Sequence, residues 1–260
     1  MDPYDFAVQK VVEIGEMILS VREKGFEVAI KGGNPRDIVT SIDLEANGRI
    51  ISAIKKEFPS HRIYSEEGEG TDHGGDEQWV IDPIDGSSNF SRGIPHFSVC
   101  LGLLKGGVPV VGAVYNPVTR ELFSFKKGGG AFLNGETIRV SVVSELEKAQ
   151  VVFSPGSRKS ELWDWAAASY RKLLEHSSKR GMYGSSALDL CFIAAGRADV
   201  GVYGTLSTLD IAAALGILYE AGGVACNAQG APFTLSSESQ KVYMGNSLAM
   251  VEQIRSLLEG

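Results

Sequence analysis

Five acidic residues stand where apolar runs give way to loops or helices. "IYSEEGEG" sets Glu66 and Glu67 directly after a short run, "WVIDPIDGSSNF" sets Asp82 and Asp85 at the end of a longer one, and "TLDIAAALGILYEAGG" sets Asp210 at the head of a helical pattern. If neighbouring strands end at one edge, these carboxylates converge. Like charges crowded in a half-buried site either raise one another's pKa values or collect cations. Hard oxygen donors without histidine or cysteine favour Mg2+, or Mn2+, over zinc. The four histidines, His61, His73, His96 and His176, form no HxxxH or HExxH pair, so a zinc hydrolase has no support.

The turn after Asp85, "GSSN", adds a second chemistry. Gly86 permits a tight backbone approach, and Ser87 and Ser88 would open a short helix whose free amides suit a phosphate. Carboxylates for metals beside amides for an oxyanion make a phosphate-ester site. Taken singly, each feature has a plainer reading. DPxDG is a type I turn signal, "EEGE" a solvated loop, and Asp210 a helix N-cap. Their conjunction points to chemistry.

Those residues need elements to position them. Apolar spacing predicts helices over 5–23 and 42–58, the second closed by Pro59. Short β-rich runs follow at 61–65, 78–82, 97–104, 108–116 and 121–127, separated by Gly, Pro and Asn signals as in antiparallel hairpins. Strands and helices then alternate: strands at 149–154, 198–203 and 241–246, helices near 160–175, 185–196, 208–221 and 247–259. The change of pattern predicts two sub-domains, 1–148 with most of the acidic cluster and 149–260 with Asp210. There is no linker-like stretch and no internal repeat, so an extensive interface between them is expected.

Bulk properties exclude several classes. The 260 residues are 43% hydrophobic and 22% charged, enough for a large core. The net charge is −7, from 25 basic and 32 acidic residues, with no Lys/Arg-rich run, which disfavours nucleic acid or an anionic membrane as partner. No run reaches the roughly 18 apolar residues of a membrane span, and the acidic, helically spaced start is unlike a signal peptide. Cys100, Cys191 and Cys226 are far apart and make no CxxC pair. A reduced, cytoplasmic protein is expected, so the sequon "NFS" at 89–91 is read as chance. Trp163 and Trp165 are read as packing residues or as the cover of a surface edge. "KKGGGAFLNG" lacks the order of a phosphate-binding P-loop and is read as a hairpin, and no GxGxxG dinucleotide fingerprint occurs.

Four elements together resemble the Mg2+-dependent, Li+-sensitive inositol monophosphatase family. "DIVTSID" (37–43), preceded by Lys31, resembles its DLVT segment. "SEEG" (65–68) resembles its GEE element, "WVIDPIDGSSNF" its WxIDPxDGTxNF, and "LDIAAALGILYEAGG" (209–223) its WDxAAGxxxxxEAGG. "GIPHFSVCLGLL" and "GAFLNGETIRVS" resemble its connecting segments. The resemblance implies an α/β fold of the sugar-phosphatase type, a layered αβαβα sandwich. It also implies two or three Mg2+ ions, with Mn2+ as a substitute. One ion would be held by Glu66, Asp82 and the Ile84 carbonyl, a second by Asp82, Asp85 and Asp210, and a third, weaker one would lean on Glu66 through water.

Glu66, Ser87 and Asp37 would be catalytic, with the Ser87 hydroxyl bonded to Asp37 and orienting the attacking water. Asp85, Gly86, Ser87, Ser88, Ser185, Ser186 and Tyr203 would meet the substrate, with Asp189 a further candidate; the alternative for Ser185, Ser186 and Asp189 is a helix N-cap and a polar helix face. The implied activity is hydrolysis of a small polyol or sugar phosphate by a homodimer, inositol 1-phosphate first. The alternatives are fructose 1,6-bisphosphate, histidinol phosphate and 3'-phosphoadenosine 5'-phosphate, or, in another class, a non-catalytic metal-binding regulatory relative. Four positions depart from the pattern. Ser87 replaces threonine and keeps the hydroxyl, Leu209 replaces tryptophan, Ala214 replaces glycine, and Tyr203 stands where many inositol phosphatases carry a glutamate that grips the inositol hydroxyls.

Overall fold

The chain opens on α1 (Pro3–Arg22), whose start is fixed by the Asp2 carboxylate accepting the Tyr4 amide at 2.8 Å and by Pro3 in the first turn. Its apolar face, Phe6, Val11, Ile14 and Ile18, is buried. A two-stranded antiparallel ribbon follows, β1 (Val28–Ile30) with β2 (Ile38–Thr40). It leads directly into α2 (Ser41–Glu57), which begins with a capping box between Thr40 and Asp43. A computed structural model describes residues 1–30, 38–68, 75–156, 162–207, 211–236 and 238–260.

The first sheet has seven strands in sequence order: β3 (Arg62–Ser65), β4 (Glu77–Asp85), β5 (Ser98–Lys105), β6 (Val108–Asn116), β7 (Glu121–Lys126), β8 (Gly130–Leu133) and β9 (Glu136–Thr137). All its pairs are antiparallel except β3 with β4, which run parallel in the register Ser65 to Ile81. This corrects the hairpin expected there. Parallel neighbours need a return connection rather than the tight turn of a hairpin. The consequence is that β3 and β4 end at the same edge.

The second sheet takes the order β11 (Lys179–Gly181), β10 (Gln150–Ser154), β12 (Val200–Leu206), β14 (Gln240–Gly245), β13 (Val224–Asn227). Strand β10 runs parallel to both neighbours, and β14 antiparallel to both of its own. The remaining helices are α3 (Ser87–Ser91), α4 (Trp163–His176), α5 (Ser186–Ala194), α6 (Ala212–Glu220) and α7 (Leu248–Glu259). No helix among the described residues is long and apolar enough to cross a membrane.

Three hydrophobic clusters show how these pieces stack. One joins α1 and α2 to one face of the first sheet, through Ile14, Ile50, Trp79 and Leu101. A second fills the space between the two sheets around α5 and α6, with Phe123, Phe125, Leu190, Ile217 and Met244. The third lies between the second sheet and α4 with α7, with Phe153, Leu173, Tyr243 and Ile254. The result is the expected five-layer αβαβα sandwich. Helices α5 and α6 are buried on nearly every side, which accounts for their almost wholly apolar sequences. Helix α6 lies flush on β6 because Gly112 has no side chain. A Cβ there would come within 2.7 Å of the Phe125 ring and 2.9 Å of the Ala213 Cα.

Short strands β1, β2, β8, β9, β11 and β13 carry too few residues to show a period of their own. The sequence pattern does not reveal them. The expected boundary at residue 148 falls in the connection between the sheets, yet α5 and α6, from the second stretch, pack against the first sheet as well.

Candidate active site

Asp82 and Asp85 are three residues apart, a spacing that in a regular strand sends side chains to opposite faces. A bulge prevents this. Asp82 pairs with Cys100 and Asp85 with Ser98, so three steps along β4 match two along β5 and both aspartates share a face. The Ser98 hydroxyl lies 3.5 Å from the Asp85 carboxylate and 3.5 Å from the Cys100 sulfur. Burial, and then the charges of Asp82 and Asp85, push the Cys100 thiol well above its usual range. Because β3 ends beside β4, the amide of Glu66 donates to the Ile81 carbonyl at 3.2 Å, which sets Glu66 next to Asp82. Neighbouring like charges repel one another. Asp82 is only 4% exposed, so water does little to relieve this.

After Asp85 the chain turns at Gly86, whose φ of 93° suits glycine alone. A Cβ there would also press on the carbonyls of His96 and Gly184, each at 3.1 Å. The turn starts α3, and its first backbone bonds run from Asn89 and Phe90 back to the Gly86 carbonyl. The amides of Ser87 and Ser88 therefore precede the intrahelical ladder, as a phosphate cradle needs. The Ser88 hydroxyl accepts from Arg92 at 2.6 Å.

The Ser87 hydroxyl faces two acceptors, the Ile84 carbonyl at 2.9 Å and Asp43 Oδ1 at 3.3 Å. Asp43 was not singled out from the sequence. Its Oδ2 accepts from the amide of Thr40 at 2.8 Å and from the Thr40 hydroxyl, which leaves Oδ1 aimed at Ser87. The signal available was the T-x-x-D of the capping box, "TSID" at 40–43. Asp37, the partner expected for Ser87, lies outside the described residues, as do Lys31 and Asp210.

The second half reaches the site through α5. Asp85 Oδ1 accepts the Ser186 amide at 3.2 Å, Oδ2 accepts the Ala187 amide at 3.0 Å, and the Ser185 hydroxyl donates to the same oxygen. Asp85 thus caps a helix a hundred residues away, where Ser185 occupies the N-cap position without capping through its own side chain. Packing around it pushes the Asp85 pKa up, and these donors and His96 pull the other way. Three expectations change here. Ser185 is 1% exposed and spent on Asp85, neither open to substrate nor capping by its own hydroxyl. Tyr203 has no exposed surface and lies in the core between the sheets, so its side chain does not front a substrate. Asp189, 2% exposed, faces His96 rather than a polar helix face. Ser186 is half-buried at the head of α5.

Among the described residues, no three His, Cys, Asp or Glu side chains gather closely enough to cage a metal alone. The donors brought to this edge are nevertheless all hard oxygens: Asp82, Asp85, Glu66 and the Ile84 carbonyl. Asp85, whose carboxylate charge is penalised by burial, is the kind of group a divalent cation relieves. This donor chemistry fits Mg2+ or Mn2+.

Five alternating layers, with acidic groups at the ends of two neighbouring strands of one sheet, are the architecture of the inositol monophosphatase and fructose-1,6-bisphosphatase type. The chain belongs to the inositol monophosphatase family, whose model matches residues 2–259, and members of that family are phosphatases. Among curated relatives, the "Fructose-1,6-bisphosphatase/inositol-1-monophosphatase" of Thermotoga maritima is 36% identical over 230 residues, covering 88% of this chain and 86% of its own. "Nus factor SuhB" of Pasteurella multocida is 35% identical over 236 residues, covering 90% and 88%. The solved structure of a Thermotoga maritima IMPase superposes with a TM-score of 0.89 at 32% identity, covering 100% of this chain and 97% of that one.

Proposed function

We propose that this chain is a Mg2+-dependent phosphomonoesterase of small polyol and sugar phosphates, with inositol 1-phosphate its preferred substrate, acting as a cytoplasmic homodimer. The observation that carries this is the β4 bulge, which turns Asp82 and Asp85 to one face beside the α3 amides and the Ser87–Asp43 contact. Asp82, Asp85, Glu66 and the Ile84 carbonyl, completed by Asp210, would hold the cations. When bound, the cations supply Lewis acidity that makes water acidic enough to attack phosphorus and that steadies charge on the leaving oxygen.

The residues do the rest. The Ser87 hydroxyl orients the attacking water by accepting its hydrogen while donating to Asp43 Oδ1, so a proton leaving the water has a carboxylate to settle on. Amides of Gly86, Ser87 and Ser88 donate to the phosphate oxygens. Asp85, fixed by the first turn of α5, and Ser186 border the alcohol side of the ester.

A second substrate reading, fructose 1,6-bisphosphate, is favoured by the double name of the Thermotoga maritima relative. Phosphate release from inositol 1-phosphate, fructose 1,6-bisphosphate, histidinol phosphate and 3'-phosphoadenosine 5'-phosphate, each with Mg2+ and with or without Li+, decides between them. The expected result is the highest kcat/KM on inositol 1-phosphate and its loss in Li+. A higher kcat/KM on the bisphosphate transfers the assignment, and no release from any of the four contradicts the phosphatase reading.

A further inference from the structure

Three buried polar atoms near the site have no hydrogen-bond partner among the described residues: His96 Nε2, Asp189 Oδ1 and the Tyr203 hydroxyl. They belong together. His96 Nε2 lies 3.6 Å from Asp189 Oδ1, an ion-pair distance a few tenths of an ångström beyond hydrogen bonding. Burial first, and then the charge of Asp189, pushes up the Tyr203 phenol. Buried polar atoms are normally satisfied, and three exceptions in one place call for a reason.

His96 belongs to the loop before β5, Asp189 to α5, and the pair spans the seam between the two stretches of chain. The His96 side is also tied to the second stretch of chain, in part to α5 itself. Asn89 donates to the carbonyls of His96, at 2.8 Å, and Tyr183, at 2.7 Å, while the His96 ring packs against Tyr183 and Phe192 at centroid distances of 5.6 and 5.5 Å. On the other side, the Asp189 amide bonds to the Ser185 carbonyl at 3.0 Å, one helical turn below the residues that hold Asp85. A force on Asp189 is therefore transmitted to the first turn of α5.

We infer that His96 and Asp189 are a positioning pair that fixes where the first turn of α5 meets Asp85, and so sets substrate affinity; this rests on the phosphatase reading above. Neither side chain touches the reacting atoms. Loosening the pair lets the head of α5 drift from the alcohol side of the site while Ser87, Asp43 and Asp82, which make none of these contacts with α5, stay in place. The effect belongs in KM.

The test compares His96→Phe, which keeps the ring packing and removes the polar nitrogen facing Asp189, with His96→Gln, which returns a polar Nε2 there, and with Asp189→Leu. Steady-state kinetics on inositol 1-phosphate at saturating Mg2+ and hydrogen exchange at the Ser186 to Leu188 amides are measured in parallel. Expected are a KM raised about tenfold in His96→Phe and Asp189→Leu with kcat within threefold, near-recovery in His96→Gln, no added effect in the double variant His96→Phe/Asp189→Leu, and faster exchange wherever KM rises. An unchanged KM, a glutamine variant no better than phenylalanine, or fully additive effects overturn the inference. A wild-type chain that hydrolyses no ester refutes the phosphatase reading instead, and the exchange rates then decide the positioning role alone.

Discussion

Asp189 is a residue the fold holds at a cost. Burial raises its pKa from an ordinary 3.8 to about 6, against the pull of His96, and the charge of Asp85 adds to the rise. For an acid with a raised folded-state pKa, the protonated form is the one the fold favours. Its stabilising contribution is complete below pH 3.8 and is lost as the pH climbs to about 6. Two pKa units correspond to at most roughly 3 kcal/mol. Asp189→Asn is therefore expected to be more stable than the parent to urea at pH 7.5, with a smaller advantage at pH 4.5. A variant less stable than the parent at pH 7.5 would show that the carboxylate is there for the fold. The same scale shows what composition could not supply. Asp82, Asp85 and Ser87 were legible from one contiguous motif, but Asp43 and the His96–Asp189 pair depend on partners 44 and 93 positions away. Tyr203 was placed correctly in β12 and assigned to the wrong surroundings, because a strand buried on both faces leaves no polar side to read.

Among the elements, α6 carries the greatest positional demand. It begins at Ala212, two residues after Asp210, and is seated on β6 where Gly112 leaves room. Gly112→Ala forces a methyl against Phe125 and the Ala213 backbone, at about 1–3 kcal/mol for overpacking. At roughly 2–4 °C per kcal/mol, the melting temperature should fall by several degrees, and the Mg2+ concentration giving half-maximal activity should rise as the helix head shifts. An unchanged melting temperature would mean that the seat is softer than its geometry. The long helices and central strands were legible because their periods run for several turns or pairs. The parallel step from β3 to β4 was not, since the sign of a strand pairing is decided by the path of the intervening loop, and it is this step that brings Glu66 beside Asp82.

At the scale of the molecule, five layers bring the end of β4, with Asp82 and Asp85, against the head of α5 from the second half of the chain. Asp85 belongs to both halves, a strand-end carboxylate that also caps α5. On the proposed function, these carboxylates serve to bind divalent cations that drive phosphate-ester hydrolysis. Phosphate release from inositol 1-phosphate after EDTA treatment, followed by Mg2+ addition, measures it directly, with Asp85→Asn as the control. The predicted result is no release in EDTA, saturable recovery with Mg2+ in the parent, and a rate lower by more than about a hundredfold in a folded Asp85→Asn. Full activity in EDTA, or a parental rate in Asp85→Asn, would contradict it.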